Sequence, residues 1–180
     1  MSNEKSNFEI KQSFLASAIS DISSYIHLAD NKVSIVMAAV VAILVGITAC
    51  HEPIAIAINN IVPCSWLGIL FLICTILFLA SIALVFVFGL LTVRGHVSII
   101  NYKSKWFLPR STKEYSFDEF LKDVKEMSDA DVIDNMAAEL YKLNDINRQK
   151  AKTLKWTLRS FACFIIFLAI IALIFLVNLI

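Results

Sequence analysis

The stretch WLGILFLICTILFLASIALVFVFGLLTV, from Trp66 to Val93, decides the fold. Its 28 residues include no charged side chain, and about 20 apolar residues of helix are enough to cross a bilayer. Two further uncharged runs, Val33 to Cys50 and Ser160 to Ile180, lie on either side of it. The sequence therefore predicts three transmembrane helices, of which the middle one is long enough to tilt.

The composition agrees with a membrane protein. Of the 180 residues, 58% are hydrophobic and 17% are charged, whereas a soluble domain has about half and about a quarter. The first 32 residues are polar and too long for the basic segment that opens a signal peptide. We therefore expect the first span to act as the insertion signal and to stay in place.

Lysine and arginine are unevenly distributed among the loops. The segment before the first span holds Lys5, Lys11 and Lys32, the loop from His51 to Ser65 holds none, and the other thirteen lie between Arg94 and Arg159. Basic residues stay on the cytoplasmic side of a membrane. We therefore expect the amino terminus and the long second loop to be cytoplasmic, with the short loop and the carboxyl terminus outside.

Before the first span, apolar residues recur with a helical period, and no proline or glycine interrupts residues 2–45. This pattern predicts one helix that begins in the cytoplasm and continues into the bilayer. After that span, Pro53 and Pro63 bracket a short apolar external turn. The apolar positions on the cytoplasmic part of the helix are Leu15, Ala18, Ile19, Ile22, Ile26 and Ala29.

Two capping patterns predict helix starts in the second loop. Ser116 with Glu119 opens a short helix, and Ser128 with Asp131 opens a long one that meets no proline or glycine up to Ile180. The predicted fold is an all-α membrane protein: three transmembrane helices with a cytoplasmic helical bundle formed by extensions of the first and last spans plus a short helix. Its segments are an N-terminal cytoplasmic helix (1–32), the first two spans with a short external loop (33–93), a cytoplasmic sensor segment (94–159) and the third span (160–180).

The long helix carries an alternating spacing of four and three residues, which is typical of coiled coils. We call this row the heptad seam. The two asparagines in its middle allow two interpretations: they specify register or oligomeric state, or they line a polar ligand pocket. The seam consists of Ile133, Ala137, Leu140, Asn144, Asn147, Ala151, Leu154 and Leu158.

The sequence lacks the motifs of common enzymes and metal sites. Its four glycines form no phosphate-binding loop, its three histidines have no metal-partner spacing, and no G-x-S-x-G elbow occurs. No ionisable residue lies inside a predicted span, although ion-coupled pathways generally need them. We expect neither an enzyme nor a pump, and no cofactor or metal. Cys50 and Cys64 both fall near the outer face, where they are either free or paired.

The stretch HLADNKVSIV, from His27 to Val36, places charges directly against the first span. On a helix His27 and Asp30 share a face, and Lys32 points roughly the opposite way. Lys32 either snorkels to the membrane surface or contributes to a ligand site. Asp30 needs a cationic or hydrogen-bonding partner, and Arg94, which ends the second span on the same side, is the expected one.

Trp106 and Phe107 lie in the basic stretch KSKWFLPR. Such aromatic side chains stack on a base while a neighbouring cation meets a phosphate, or they anchor a chain at the membrane interface. Further basic residues, Lys142 and Arg148 among them, cluster before the last span. Anionic lipid head groups explain that cluster as well as a ligand does.

Three of these features occur in the same order in a known family. They are LADNKVS at the first span, Arg94 at the exit of the second, and ELYKLNDINRQKAKTLK, from Glu139 to Lys155, before the third. In them the chain resembles the transmembrane effectors of Pycsar, a bacterial anti-phage system, from about His27 to its end. It departs from the family pattern at RGH, where Arg-Pro is common, and at WFLP, where glycine often follows an aromatic pair.

The resemblance implies a receptor in the bacterial inner membrane. An adjacently encoded cyclase makes cyclic UMP or cyclic CMP during infection, and the effector binds it and impairs the membrane, so that the infected cell dies. We expect a homo-oligomer and no nucleic-acid partner. Two alternatives stay open: a small accessory or structural membrane protein whose cytoplasmic bundle docks a soluble partner, and a toxin-like membrane protein without a nucleotide trigger.

The expected ligand residues combine aromatic rings for stacking, cations for the phosphate and amides for the base edge. They are His27, Asp30, Lys32, Arg94, Trp106, Phe107, Tyr141, Lys142, Asn144, Asn147 and Arg148.

Overall fold

The computed structural model describes residues 2–59, 61, 65–94 and 116–179, and within these residues it contains five helices and no strand. The all-α prediction is therefore confirmed for this part of the chain. The helices are α1 (Ser2–Ala49), α2 (His51–Asn59), α3 (Trp66–Val93), α4 (Phe117–Lys125) and α5 (Asp129–Leu179).

Two helices are far longer than a membrane span. α1 has 48 residues and α5 has 51, so each continues from its polar part into its apolar part without a break. Proline and glycine are the residues that most strongly interrupt a helix, and α5 contains neither. Both continuous helices were predicted from the sequence, and both predictions are confirmed.

The starts of α4 and α5 are fixed by reciprocal caps. The Ser116 hydroxyl accepts a hydrogen bond from the Glu119 N–H at 3.3 Å, and the Ser116 N–H donates to Glu119 Oε2 at 2.8 Å. Ser128 and Asp131 make the same pair of bonds, at 3.3 Å and 3.0 Å. Each cap satisfies two N–H groups that the first helical turn leaves without partners, as the capping patterns predicted.

The connection after α1 contains a helix where the sequence predicted a turn. Residues His51–Asn59 form α2, with Glu52 in the first turn. Pro53 is compatible with a helix there because the N–H groups of a first turn have no intrahelical acceptor. Pro63 lies outside the described residues.

α1, α3 and α5 are each long and apolar enough to cross a membrane. Only 17%, 22% and 17% of their most apolar 18-residue windows are buried inside the protein. The outward-facing side chains of these windows are therefore mostly apolar, as lipid contact requires. The prediction of three helices long and apolar enough to span a membrane is confirmed.

The chain divides into two compact units, which we describe separately. Unit 1 comprises Met1–Leu28 and Gly95–Gln149, and unit 2 comprises Ala29–Arg94 and Lys150–Ile180. α1 and α5 contribute residues to both units.

In unit 2, α3 and α5 run in opposite directions and contact each other through pairs of aromatic rings. Ring centroids are 5.5 Å apart for Phe71 and Phe175, 5.1 Å for Phe78 and Phe164, and 6.0 Å for Phe88 and Trp156. In these pairs the residue numbers rise along α3 and fall along α5, so the two helices are antiparallel. Val36 and Val40 of α1 complete the core of buried residues with Phe78, Val85 and Phe164.

α3 approaches α1 closely at Gly89. A Cβ atom at this position would lie 2.9 Å from Met37 Sδ and 3.4 Å from Val33 Cγ1. Small residues let membrane helices pack at short distance, and Gly89 serves this purpose here.

In unit 1, the apolar positions of α1 that recur with a helical period are partly buried. They are Leu15, Ala18, Ile19, Ile22 and Ile26. The other side of the same helix exposes large apolar side chains: Ile10 is 66% exposed, Phe14 68% and Tyr25 61%.

Candidate functional site

Asp30 and Lys150 form an ion pair between α1 and α5 in unit 2. Lys150 Nζ donates to both carboxylate oxygens of Asp30, at 2.5 Å and 2.7 Å. The Lys150 side chain is 7% exposed and that of Asp30 is 30% exposed. The two residues are 120 positions apart in the sequence. The ion pair therefore fixes the register between two helices that are far apart along the chain.

The partner of Asp30 therefore differs from the expected one. Arg94, the expected partner, caps the end of α3 and is exposed. Lys150 is the residue that pairs with Asp30. The expected need of Asp30 for a cationic or hydrogen-bonding partner is met by Lys150. The same requirement holds more strongly for Lys150, because its side chain is nearly enclosed.

The rest of the HLADNKVSIV stretch presents its polar groups outward. His27 and Lys32 are both exposed, and the Ser34 hydroxyl donates to the Asp30 carbonyl oxygen at 3.0 Å. The sequence placed Asp30 and Lys32 on different sides of the helix, and their different exposure agrees with this. Asp30 is thus the charged residue of this stretch that forms an ion pair within unit 2.

α5 buries a row of polar residues on one face. Thr157 donates to the Thr153 carbonyl oxygen at 3.1 Å, and Asn135 donates to the Asp131 carbonyl oxygen at 2.7 Å. Hydroxyl and amide groups satisfied by their own helix are inexpensive to bury. The buried polar residues of α5 are Asn135, Glu139, Lys150, Thr157 and Ser160.

Glu139 is the exception in this row. It is 6% exposed, and its Oε2 atom has no hydrogen-bond partner among the described residues. Burial raises the pKa of the Glu139 carboxyl group, and the positive charge of Lys142 opposes this by lowering it. An enclosed carboxyl oxygen without a donor is rare in folded proteins, so Glu139 requires an explanation.

The predicted ligand residues of α5 lie within two turns of the helix in unit 1. Tyr141 and Arg148 are exposed, and Lys142 and Asn147 are partly buried. Asn144 is exposed and donates to the Leu140 carbonyl oxygen at 3.0 Å. Arg148 pairs with Asp145 at 3.2 Å. Trp106 and Phe107 lie outside the described residues, so their stacking role stays a prediction.

The heptad seam is not the buried face of α5. Ala137, Asn144, Ala151 and Leu158 are exposed, and the other four seam residues are only partly buried. The face that packs within the chain instead carries the buried polar row and Phe164. The seam therefore remains available to another molecule.

The thiols give no cross-link among the described residues. Cys50 is free and exposed, and its possible partner Cys64 lies outside the described residues.

A family model described as the Pycsar effector protein domain matches residues 14–177. The chain belongs to the Pycsar effector family. Its role is thus that of an effector in anti-phage defence, in a family that is not a known catalytic one. No curated protein and no solved structure matches the chain. The matched range includes Asp30, Glu139 and Lys150.

Unit 2 of this Pycsar effector contains an apolar cavity of about 330 Å³, with Ile47, Ile58 and Phe175 among its lining residues. Thr75 also lines it, but the Thr75 hydroxyl already donates to the Phe71 carbonyl oxygen at 2.9 Å. A nucleotide needs donors for its phosphate and base. This cavity offers none, so it is unsuited to a nucleotide.

Sequence reasoning missed two polar residues of the Pycsar effector, Lys150 and Glu139. Lys150 lies in a run of basic residues before the last span, where positive charge is ordinary. Glu139 begins the ELYKLNDINRQKAKTLK motif, and a helix glutamate is normally solvated. The helical face shared by Asn135 and Glu139, one turn apart, was the available signal.

Proposed function

We propose that this Pycsar effector binds a cyclic pyrimidine nucleotide, cyclic UMP or cyclic CMP, in its cytoplasmic region and then impairs the bacterial inner membrane. The infected cell dies before phage matures. The observation that carries the proposal is the family match over residues 14–177. Three helices long and apolar enough to span a bilayer support the membrane part of it. An adjacently encoded cyclase supplies the nucleotide.

The orientation follows from the basic residues. We place the amino-terminal part of α1, α4 and the first part of α5 in the cytoplasm, where the cyclase product is made. The carboxyl terminus lies outside. All sixteen lysines and arginines then fall on the cytoplasmic side.

The ligand acts through α1 and α5, the two helices that contribute to both units. The Asp30–Lys150 pair holds these helices in one register in the resting protein. Nucleotide binding favours a second arrangement of the same helices, by as much as its affinity differs between the two arrangements. In this account Asp30 is a positioning residue rather than a contact of the ligand.

The ligand site draws on residues that the sequence nominated. Lys142 and Arg148 are cations within reach of solvent on α5, and they suit the single phosphate charge. Asn144 and Asn147 offer donors and acceptors for a base edge. His27, Lys32, Arg94, Tyr141, Trp106 and Phe107 complete the candidate set. Nucleic acid is not a partner.

Self-association is part of the proposal. The heptad seam is open to contact, and Ala151, Leu154, Leu158 and Ala162 line a groove of about 400 Å³ on the surface of α5. Two copies inserted in the same membrane hold their α5 helices parallel, the arrangement in which a heptad seam meets its own copy. A second copy of the chain is therefore the occupant.

Cysteine cross-linking tests this interface. With the native cysteines replaced by serine, Ala151→Cys should give disulfide-linked dimers in membranes, and Lys152→Cys, the next exposed residue on the helix, should give few. Equal cross-linking at both positions, or none at Ala151, would overturn the seam as the contact.

Ligand binding is tested by thermal unfolding of the purified effector in detergent. Saturating cyclic UMP or cyclic CMP should raise Tm, because a ligand that binds only the folded state stabilises it. The matching linear monophosphate is the control and should do less. If neither cyclic nucleotide moves Tm and calorimetry detects no heat, the receptor function is rejected.

One observation favours a second function. The exposed row of Ile10, Phe14 and Tyr25 on α1 is unusual for a polar helical segment. It suits a small accessory membrane protein whose cytoplasmic helices dock a soluble partner. Loss of a soluble protein from affinity-purified complexes on Phe14→Glu, together with no response to nucleotide, would favour that function over the receptor.

A further inference from the structure

Glu139 combines burial with an unmet hydrogen-bonding need. Its side chain lies on α5 in unit 1, it is 6% exposed, and Oε2 has no partner among the described residues. The other buried polar side chains of α5 for which bonds are known are satisfied: Asn135 and Thr157 by carbonyl oxygens, and Lys150 by Asp30.

The surroundings of Glu139 suit a ligand better than a structural bond. Asn135 lies one turn earlier on the same face and is already engaged with the Asp131 carbonyl oxygen. Met136, which lies between Asn135 and Glu139 in the sequence, is also buried. Lys142 lies one turn later and acts on Glu139 through its charge. The arrangement is an acceptor in an enclosed place, with a cation close by.

A carboxyl group in such a place recognises an N–H donor. An ionised carboxylate only accepts hydrogen bonds, and glutamate reads the exocyclic amino group of cytosine in the same way at nucleic-acid interfaces. A pyrimidine base presents either this amino group or, in uracil, the N3–H. A cyclic mononucleotide also carries one phosphate charge, which the neighbouring Lys142 can meet.

We propose that Glu139 recognises the base of the bound cyclic nucleotide, by accepting a hydrogen bond from an N–H on the Watson–Crick edge of the pyrimidine. This inference rests on the proposed function and adds to it the residue that distinguishes one base from the other, because the cytosine amino group and the uracil N3–H lie at different positions on the ring. Burial raises the pKa of this carboxyl group, which disfavours its ionised form. A hydrogen bond donated by the ligand favours the ionised form again. Binding then satisfies an oxygen that the ligand-free protein leaves unbonded, which gives the ligand-bound arrangement its advantage.

The test compares two substitutions at Glu139 with one matched control. Glu139→Met removes the acceptor at similar volume, and Glu139→Gln keeps an acceptor but loses its charge. Asp134→Asn makes the same loss of charge at an exposed position of the same helix. Calorimetry of each purified protein in detergent gives Kd for cyclic UMP and for cyclic CMP.

We expect the wild type to prefer one of the two nucleotides. Glu139→Met should weaken the binding of that nucleotide, raising its Kd by about tenfold to a hundredfold, the range for a hydrogen bond to a charged group. The ratio of the two Kd values should fall towards one. Glu139→Gln should lose less, and Asp134→Asn should match the wild type. Because Glu139 Oε2 has no hydrogen-bond partner among the described residues, neither variant at this position should lower Tm of the ligand-free protein.

Failure of this inference is distinguishable from failure of the proposed function. If the wild type binds neither nucleotide, both are rejected. If it binds both equally, or if Glu139→Met and Glu139→Gln keep the wild-type ratio of Kd values, the receptor stands and Glu139 does not read the base. A fall in Tm of both ligand-free variants would instead assign Glu139 a structural role.

Discussion

Unit 2 and unit 1 treat their buried polar groups differently. In unit 2, Ser81 and Thr92 donate to carbonyl oxygens of their own helix, at 2.7 Å and 2.8 Å, and Lys150 binds both oxygens of Asp30. In unit 1, Glu139 Oε2 is enclosed and has no hydrogen-bond partner in the part of the chain that the structure describes. The polar groups named in unit 2 are therefore bonded within that unit. Unit 1 contains a buried acceptor, Glu139 Oε2, that no described residue bonds.

The functions that we propose for the two units account for this difference. A membrane interior has no water to satisfy a stray polar group, so unit 2 must complete its hydrogen bonds internally. A unit that binds a polar ligand benefits from groups that only the ligand completes. The predictions below test both sides of this comparison, beginning with the largest effect.

The ion pair of unit 2 should be the most sensitive point. Asp30→Ala leaves the nearly enclosed Lys150 without its carboxylate, which should cost about 3 kcal/mol, the low end for a buried pair that loses one partner. Lys150→Ala should cost less, because the Asp30 side chain is 30% exposed and reaches solvent. Denaturation of the purified proteins in detergent measures both.

The same variants test function. Asp30→Ala should abolish nucleotide-triggered killing in cells where immunoblots show that the protein still accumulates in the membrane. The reversed pair, Asp30→Lys with Lys150→Asp, should recover part of it, and Lys32→Ala, at an exposed site, should kill normally. Undiminished killing by Asp30→Ala would show that the HLADNKVSIV stretch has no role beyond forming the helix.

The sequence predicted the features that depend on neighbours along the chain. The caps at Ser116 and Ser128 and the uninterrupted lengths of α1 and α5 follow from local residue types, and all are confirmed. The partner of Asp30 depends on which helices meet across 120 residues, and local patterns carry no such information.

Local sequence patterns were equally unable to predict which face of α5 is buried. A heptad spacing identifies a row of residues that suits a neighbouring helix, but not whether that neighbour belongs to the same chain. The seam residues are exposed or only partly buried, while Asn135 and Glu139, outside the seam, are buried. The ligand roles of His27, Lys32, Tyr141, Asn144 and the other nominated residues stay predictions.

Close packing in unit 2 gives a smaller effect. Gly89→Ala places a Cβ 2.9 Å from Met37 Sδ, and the flexible methionine end must move, at a cost of about 1 kcal/mol. Gly46→Ala is the matched control, because a Cβ there meets nothing within 4 Å. Thermal unfolding should separate the two variants. Equal Tm values would show that α1 and α3 are not tightly packed at Gly89.

The smallest effect concerns unit 1 and pH. Burial raises the pKa of Glu139 above its ordinary value of 4.5, so the folded state keeps a proton that the unfolded chain has released. The associated stability is complete below about 4.5 and is lost as pH rises through the folded pKa. Tm of Glu139→Gln, relative to the wild type, should therefore increase over this range. A difference that stays constant with pH would contradict the burial of an unpaired carboxyl group.

The most direct test of the account is dye release from vesicles that contain the purified effector. With the basic segments facing the added solution, cyclic UMP or cyclic CMP should release an enclosed fluorescent dye, and the linear monophosphate should not. Asp30→Ala should remain silent with either. Vesicles that stay sealed with both cyclic nucleotides, or that leak equally without them, would contradict a nucleotide-gated membrane effector.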